Sequence, residues 1–182
     1  MSVGISLEEL PACKGGAMSI GITLEELLAW NEETSEWWKA HLEAHPQLLE
    51  LPCDIGGTRN VQEFVRHIWG VELRWSQRLA ELPVTAREDM PAGPLDALFA
   101  LHAQAMVTFR ELLKSDDASW SQAFALDLAN IPPEKQTMSR RKIALHALLH
   151  GHRHWAQLAT LVRVAGFSSG FGGDLLFSRA LT

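Results

Sequence analysis

The sequence predicts an all-α chain, a four-helix bundle, from three observations. Four long segments space their apolar residues as helices do, no segment alternates as a half-buried strand would, and Pro or Gly punctuation separates the four. The first helix opens at Thr23, whose partner Glu26 completes a capping box. It carries Leu24, Leu27, Leu28, Trp30, Trp37, Trp38 and Leu42 on its apolar side until His45-Pro46 stops it. A loop with Pro52, Gly56 and Gly57 follows. Asn60 and Glu63 then form a second capping box, opening a helix from Val61 to Leu82 that Pro83 ends. Residues 83–94 read as a Pro/Gly/acidic connection long enough to cross a bundle end. The third helix runs from about Leu95 to Lys114, and Ser115-Asp-Asp-Ala-Ser119 stops it. Between Trp120 and Met138 Pro132-Pro133 excludes a continuous helix, so this stretch is expected to be irregular. The fourth helix starts at Ser139, carries Ile143, Leu145, Leu148, Leu149, Trp155, Leu158, Leu161 and Val162, and stops at Gly166. The tail is rich in Gly and Ser, yet Phe167, Phe171, Leu175, Leu176 and Phe177 should pack it back on the bundle.

One internal duplication stands out. Met1–Leu10 is repeated as Met18–Leu27 with eight of ten positions identical. The first copy runs into Pro11 and Gly15-Gly16, whereas the second continues into a helix. Residues 1–18 are therefore read as an N-terminal extension, a near-duplicate of 18–27, and residues 19–182 as a single domain. A 17-residue offset seen twice is too short for a solenoid.

Composition narrows the function classes. With 47% hydrophobic and 21% charged residues, the 182-residue chain has the apolar material for a self-sufficient core. Metals and disulfides are thus not needed for folding. The net charge of -6 argues against a nucleic-acid partner, since only Arg140, Arg141 and Lys142 cluster. No apolar run reaches the ~18 residues of a membrane span and no basic, apolar leader opens the chain, so a cytoplasmic location and no membrane partner are expected. Cys13 and Cys53 lack metal-knuckle spacing and are read as reduced, incidental thiols.

The chemistry concentrates in the fourth helix. Four of the eight histidines fall in His146-Ala-Leu-Leu-His150-Gly-His152-Arg-His154. At 100° per residue His150 lies about 40° and His154 about 80° around from His146, so these three share one stripe while His152 faces away. Imidazoles at i and i+4 can converge on one ion, but His146 and His154, about 12 Å apart along the axis, cannot. The pair is either His146/His150 or His150/His154. His67, beside Phe64 and Ile68 on the second helix, is the best candidate for a ligand from a facing element. Three imidazoles with an open position would make a catalytic-type site for zinc, nickel or a similar divalent ion. An isolated imidazole on an apolar face is more often a hydrogen-bonded core or edge residue; the shared stripe is what favours metal here. His41 and His45 are accounted for by a helix C-terminus, His102 by a surface or core-edge position, and Glu72 by solvation or an ion pair. There is no HExxH and no Glu three residues before any histidine. The Gly170–Gly173 run lacks the strand and helix of a phosphate cradle.

The stretch His150-x3-His154-Trp-Ala-Gln157-Leu158, followed by Leu161-Val-Arg163, Gly166 and Asp174-Leu-Leu-Phe177, resembles the C-terminal half of DinB/YfiT-like proteins. His67-Ile-x2-Val-Glu72-x2-Trp75-x2-Arg78-Leu79 is similar to that family's second helix, and the resemblance covers roughly residues 22–178. It implies a four-helix bundle, commonly a homodimer, in which His67, His150 and His154 bind a divalent metal, zinc or nickel. It thereby selects His150/His154 as the pair and leaves His146 a turn away. Where the family commonly has Arg-Gly-Gln-Leu after the last ligand, this chain has Trp155-Ala156-Gln157-Leu158. The resemblance further implies a metal-dependent enzyme, a thiol transferase or hydrolase, acting with a low-molecular-weight thiol on a small electrophile. The alternative is a non-catalytic dimeric helical module acting through protein contacts or in a stress response.

Overall fold

The computed structural model of the protein describes residues 21–126, 132–168, 170 and 173–181. Its elements are α1 (Leu24–Ala44), α2 (Val61–Leu79), α3 (Leu95–Leu112), the short α4 (Asp117–Ser121), β1 (Ala123–Ala125), β2 (Thr137–Ser139) and α5 (Arg140–Val164). The described residues are all-α apart from that two-stranded hairpin. The proposed extension, residues 1–18 with Cys13, and Phe171 of the tail lie outside the described residues.

Local chemistry sets the helix ends. Thr23 Oγ1 accepts the Glu26 N–H at 3.1 Å and the Glu26 carboxylate accepts the Thr23 N–H at 2.7 Å, a complete capping box. The box expected at α2 is only half formed. Asn60 Oδ1 accepts from Glu63 N at 2.9 Å, but the Glu63 carboxylate turns to the N–H and guanidinium of Arg59. A charged partner one residue further out outcompetes the cap backbone. α2 also ends three residues before Leu82. Glu81 adopts φ 57, Leu82 N–H bonds Gln77 O and Glu81 N–H bonds Arg78 O, so a Schellman turn closes the helix ahead of Pro83. Gly166, at φ 88, closes α5 in the same way, as its sequence position suggests.

Helix α2 packs along α3 and α5, and α1 lies against the same two helices. Leu27, Leu42, Phe64, Ile68, Leu98, Met106 and Leu148 are fully buried between them. The segment expected to be irregular holds more order than the sequence showed. α4 is capped by Asp116, and β1 pairs antiparallel with β2, placing Phe124 opposite Met138.

The α2–α3 connection lies down on α2. Arg66 donates to the carbonyls of Arg87, Met90 and Pro91 at 2.7, 2.7 and 2.8 Å, and Gln62 reaches Gly93 O at 2.8 Å. Met90 fills the notch at Gly70, where a Cβ would come within 2.6 Å of its sulfur. This strap borders the face of α2 that carries His67.

The tail departs from expectation. Phe167 packs against the core, but Leu176 is 82% and Phe177 57% exposed. Docking is polar instead: Ser178 Oγ and Arg179 N donate to Glu33 at 2.5 and 3.0 Å, and Trp30 Nε1 donates to Gly173 O at 3.0 Å. Phe177 lines a recess with Trp30 and Trp37 of α1, and the carboxylates of Glu33 and Glu36 stand at the same rim.

Candidate metal centre

Packing of α2 on α5 brings His67 against two imidazoles one turn apart. Ring centroids of His150 and His154 are 4.3 Å apart, and His67 lies 5.4 Å from the first and 5.2 Å from the second. One ring nitrogen from each of the three lies within 4.8 Å of the others. His154 is buried, His67 and His150 half-buried, and Phe64 packs its edge against His154 at 5.1 Å. His146 stays outside the set. It is exposed, its ring 5.8 Å from His150 and 5.6 Å from Trp75.

Electrostatics keep these imidazoles neutral at pH 7. Burial, joined by the charge His154 would carry, pushes His67 down to about 4. The same two causes, with His67 adding a third, take His150 to about 3. Burial lowers His154 too, against a raising hydrogen bond with Gln157. Neutral imidazole is the ligating form.

Tautomers follow from the partners. His154 Nδ1 lies 2.6 Å from Gln157 Oε1, an acceptor, so Nδ1 carries the proton and Nε2 keeps its lone pair. That lone pair lies 3.0 Å from His150 Nε2, while His150 Nδ1 is buried without a partner. Two nitrogens converging from one helix and a third imidazole facing them suit a divalent cation of borderline softness. Gln157 matches the family motif in the sequence, and the structure gives it its role. Its place three residues after His154 is the signal, because i and i+3 side chains meet on a helix.

A second polar cluster lies beneath this one. Glu72 and His102 are 0% and 2% exposed, with Glu72 Oε2 2.8 Å from His102 Nδ1. Asn31 Nδ2 donates to Glu72 Oε1 at 3.1 Å and to Leu148 O at 3.3 Å, tying α1, α2, α3 and α5 together. His102 is thus a core residue, not a surface one, and Glu72 is paired in the interior instead of in solvent. Both stand on apolar stripes, Glu72 four residues after Ile68 and His102 four after Leu98, and that register was the readable signal. His152, on the far side as its angle required, stacks on Trp30 at 3.5 Å, and burial takes it down to about 4.

A helical chain presenting three converging neutral imidazoles from two packed helices belongs to the class of helical proteins with a histidine-built candidate metal site. The DinB family model matches residues 18–171, and the chain belongs to that family. No curated protein matches the chain. Trp155, which stands where the family's text commonly has Arg, is buried and packs between Trp38 and Trp69 at 5.5 and 5.7 Å. Among the described residues no helix is long and apolar enough to cross a membrane.

Proposed function

We propose that the four long helices form a DinB-type four-helix bundle and that His67, His150 and His154 hold one divalent ion, zinc or nickel, for catalysis. The carrying observation is the donor set: three neutral imidazoles with one ring nitrogen each within 4.8 Å of the others, and among the described residues no carboxylate or fourth histidine in the group. Three protein ligands with a position left open are the pattern of a catalytic centre, since a structural site closes its fourth position with a side chain. The bound ion would lower the pKa of a water or thiol at the open position and supply a nucleophile near neutral pH. The protein's own groups orient the ligands. Gln157 holds the proton on His154 Nδ1 so that Nε2 faces the site, and Phe64 walls one side against water. The reaction class is transfer of a low-molecular-weight thiol to a small electrophile.

One observation favours the second reading, a non-catalytic homodimeric module. The outer face of α5 exposes Val164 at 77% beside Leu161 and Ile55, bordering an apolar depression. Steady-state assays with zinc or nickel and a panel of thiols and electrophiles separate the two. Metal-dependent thiol consumption that disappears in His67→Ala supports the enzyme. Absence of turnover, together with a metal whose spectrum no thiol perturbs, supports the module.

A further inference from the structure

A cavity of about 230 Å³ opens beside His67, between α2 and the strap that follows it, and its walls are unusually cationic for a chain of net charge -6. Arg66 and Arg74 from α2 and Arg87 from the strap line it with His67, Met90 and Glu63. The Glu63 carboxylate is bonded to Arg59 and also feels the charge of Arg66, which leaves Arg74 and Arg87 as the cations of the lining without a carboxylate partner. Among the described residues none of the three arginines forms an ion pair, and Nε of Arg74 is buried without a partner. Arg66 spends its donors on the carbonyls of Arg87, Met90 and Pro91, so it braces the strap that presents Arg87. Glu88 and Asp89, on the same strap, do not line the cavity.

Uncompensated guanidinium groups in a recess are costly unless a counter-charge arrives, and their planar forks match carboxylate and phosphate oxygens. Size sets a further limit. A site for a whole drug-sized ligand occupies about 300–1,000 Å³, so this recess fits an anionic group with a short stem.

We propose that this cavity is an anion subsite, in which Arg74 and Arg87 grip a carboxylate or phosphate group of the substrate while its reacting end lies at His67, His150 and His154. The subsite rests on the metal-centre reading for its purpose, but not for its binding chemistry. It would make the preferred substrate or thiol an anionic one, oriented by its charged end.

Isothermal titration calorimetry of the full chain tests this with succinate, inorganic phosphate and uncharged succinamide, each with and without one equivalent of zinc. Both anions bind and succinamide does not; Arg74→Gln and Arg87→Ala each weaken the anions by about tenfold. Tighter phosphate assigns a phosphate group, tighter succinate a carboxylate. Equal binding of succinamide and succinate, or anion affinities unchanged in both variants, overturns the subsite. Arg87 is on the surface, so its variant reads binding even if Arg74→Gln perturbs the fold. Anion binding without zinc binding leaves the subsite standing and removes the metal reading, whereas zinc binding without anion binding does the reverse.

Discussion

His154 donates from Nδ1 to Gln157 Oε1 at 2.6 Å, within a single helix, and this one bond decides which ring nitrogen faces His67 and His150. Gln157 is exposed, so its side chain can be changed without disturbing the core. Such outer partners are worth about 10–100-fold in metal affinity. Gln157→Ala is expected to weaken zinc by that factor in a chelator competition while leaving the circular dichroism spectrum and the urea midpoint unchanged. An unchanged zinc affinity would show that the bond does not set the ligand's tautomer.

Glu72 and His102 are hydrogen-bonded to each other in the interior. Removing one partner leaves the other unmatched there, at a cost of about 1–3 kcal/mol. Urea unfolding of Glu72→Ala or His102→Ala should show a loss of that size, whereas Glu63→Ala, which breaks an exposed pair with Arg59, should cost much less. Equal losses at the two sites would contradict the burial argument.

Two helical glycines should respond differently to alanine. At Gly151 a Cβ would lie 2.8 Å from Glu72 Oε1 and 3.3 Å from Asn31 Nδ2, both fixed in the buried network. Gly151→Ala is expected to destabilise by about 1–3 kcal/mol in spite of alanine's helix propensity. At Gly70 the obstacle is the end of the flexible Met90 side chain, so Gly70→Ala should stay within about 1 kcal/mol of the parent. Thermal unfolding of the two variants side by side gives the order; a reversed order would mean that the Glu72 cluster yields more easily than Met90.

Low pH should weaken the metal-free protein. His67 and His152 are pushed to about 4 and His150 to about 3, all below the ordinary imidazole value. As pH falls below about 6.5 the unfolded chain takes up protons that the folded chain refuses, so stability drops between about pH 7 and pH 3 and is flat above that window. With chelator present, His152→Gln should shallow the fall in urea midpoint between pH 7 and pH 4.5. A slope identical to the parent's would mean that His152 is not held neutral by burial.

Much of this was legible in the chain, and what was not had physical causes. The four long helices and the caps at Thr23, Ser139 and Gly166 follow from apolar spacing and side-chain chemistry, which are local. The grouping of His67 with His150 and His154 needed the family resemblance, because residue spacing alone left His146/His150 equally open. The end of α2 at a left-handed Glu81 was hidden, since nothing in the local sequence demands φ above zero there. The β1–β2 hairpin was missed because three-residue strands are too short to show alternation. The tail misled through composition: Leu176 and Phe177 are apolar, but α1 receives the tail through Glu33 and Trp30.

The central claim is that three histidines hold one ion, and zinc titration with chelator competition tests it most directly. The parent should bind one equivalent. His67→Ala, His150→Ala and His154→Ala should each lose stoichiometric binding, and His146→Ala should keep it. Retention of one tightly held equivalent in His150→Ala would contradict the site.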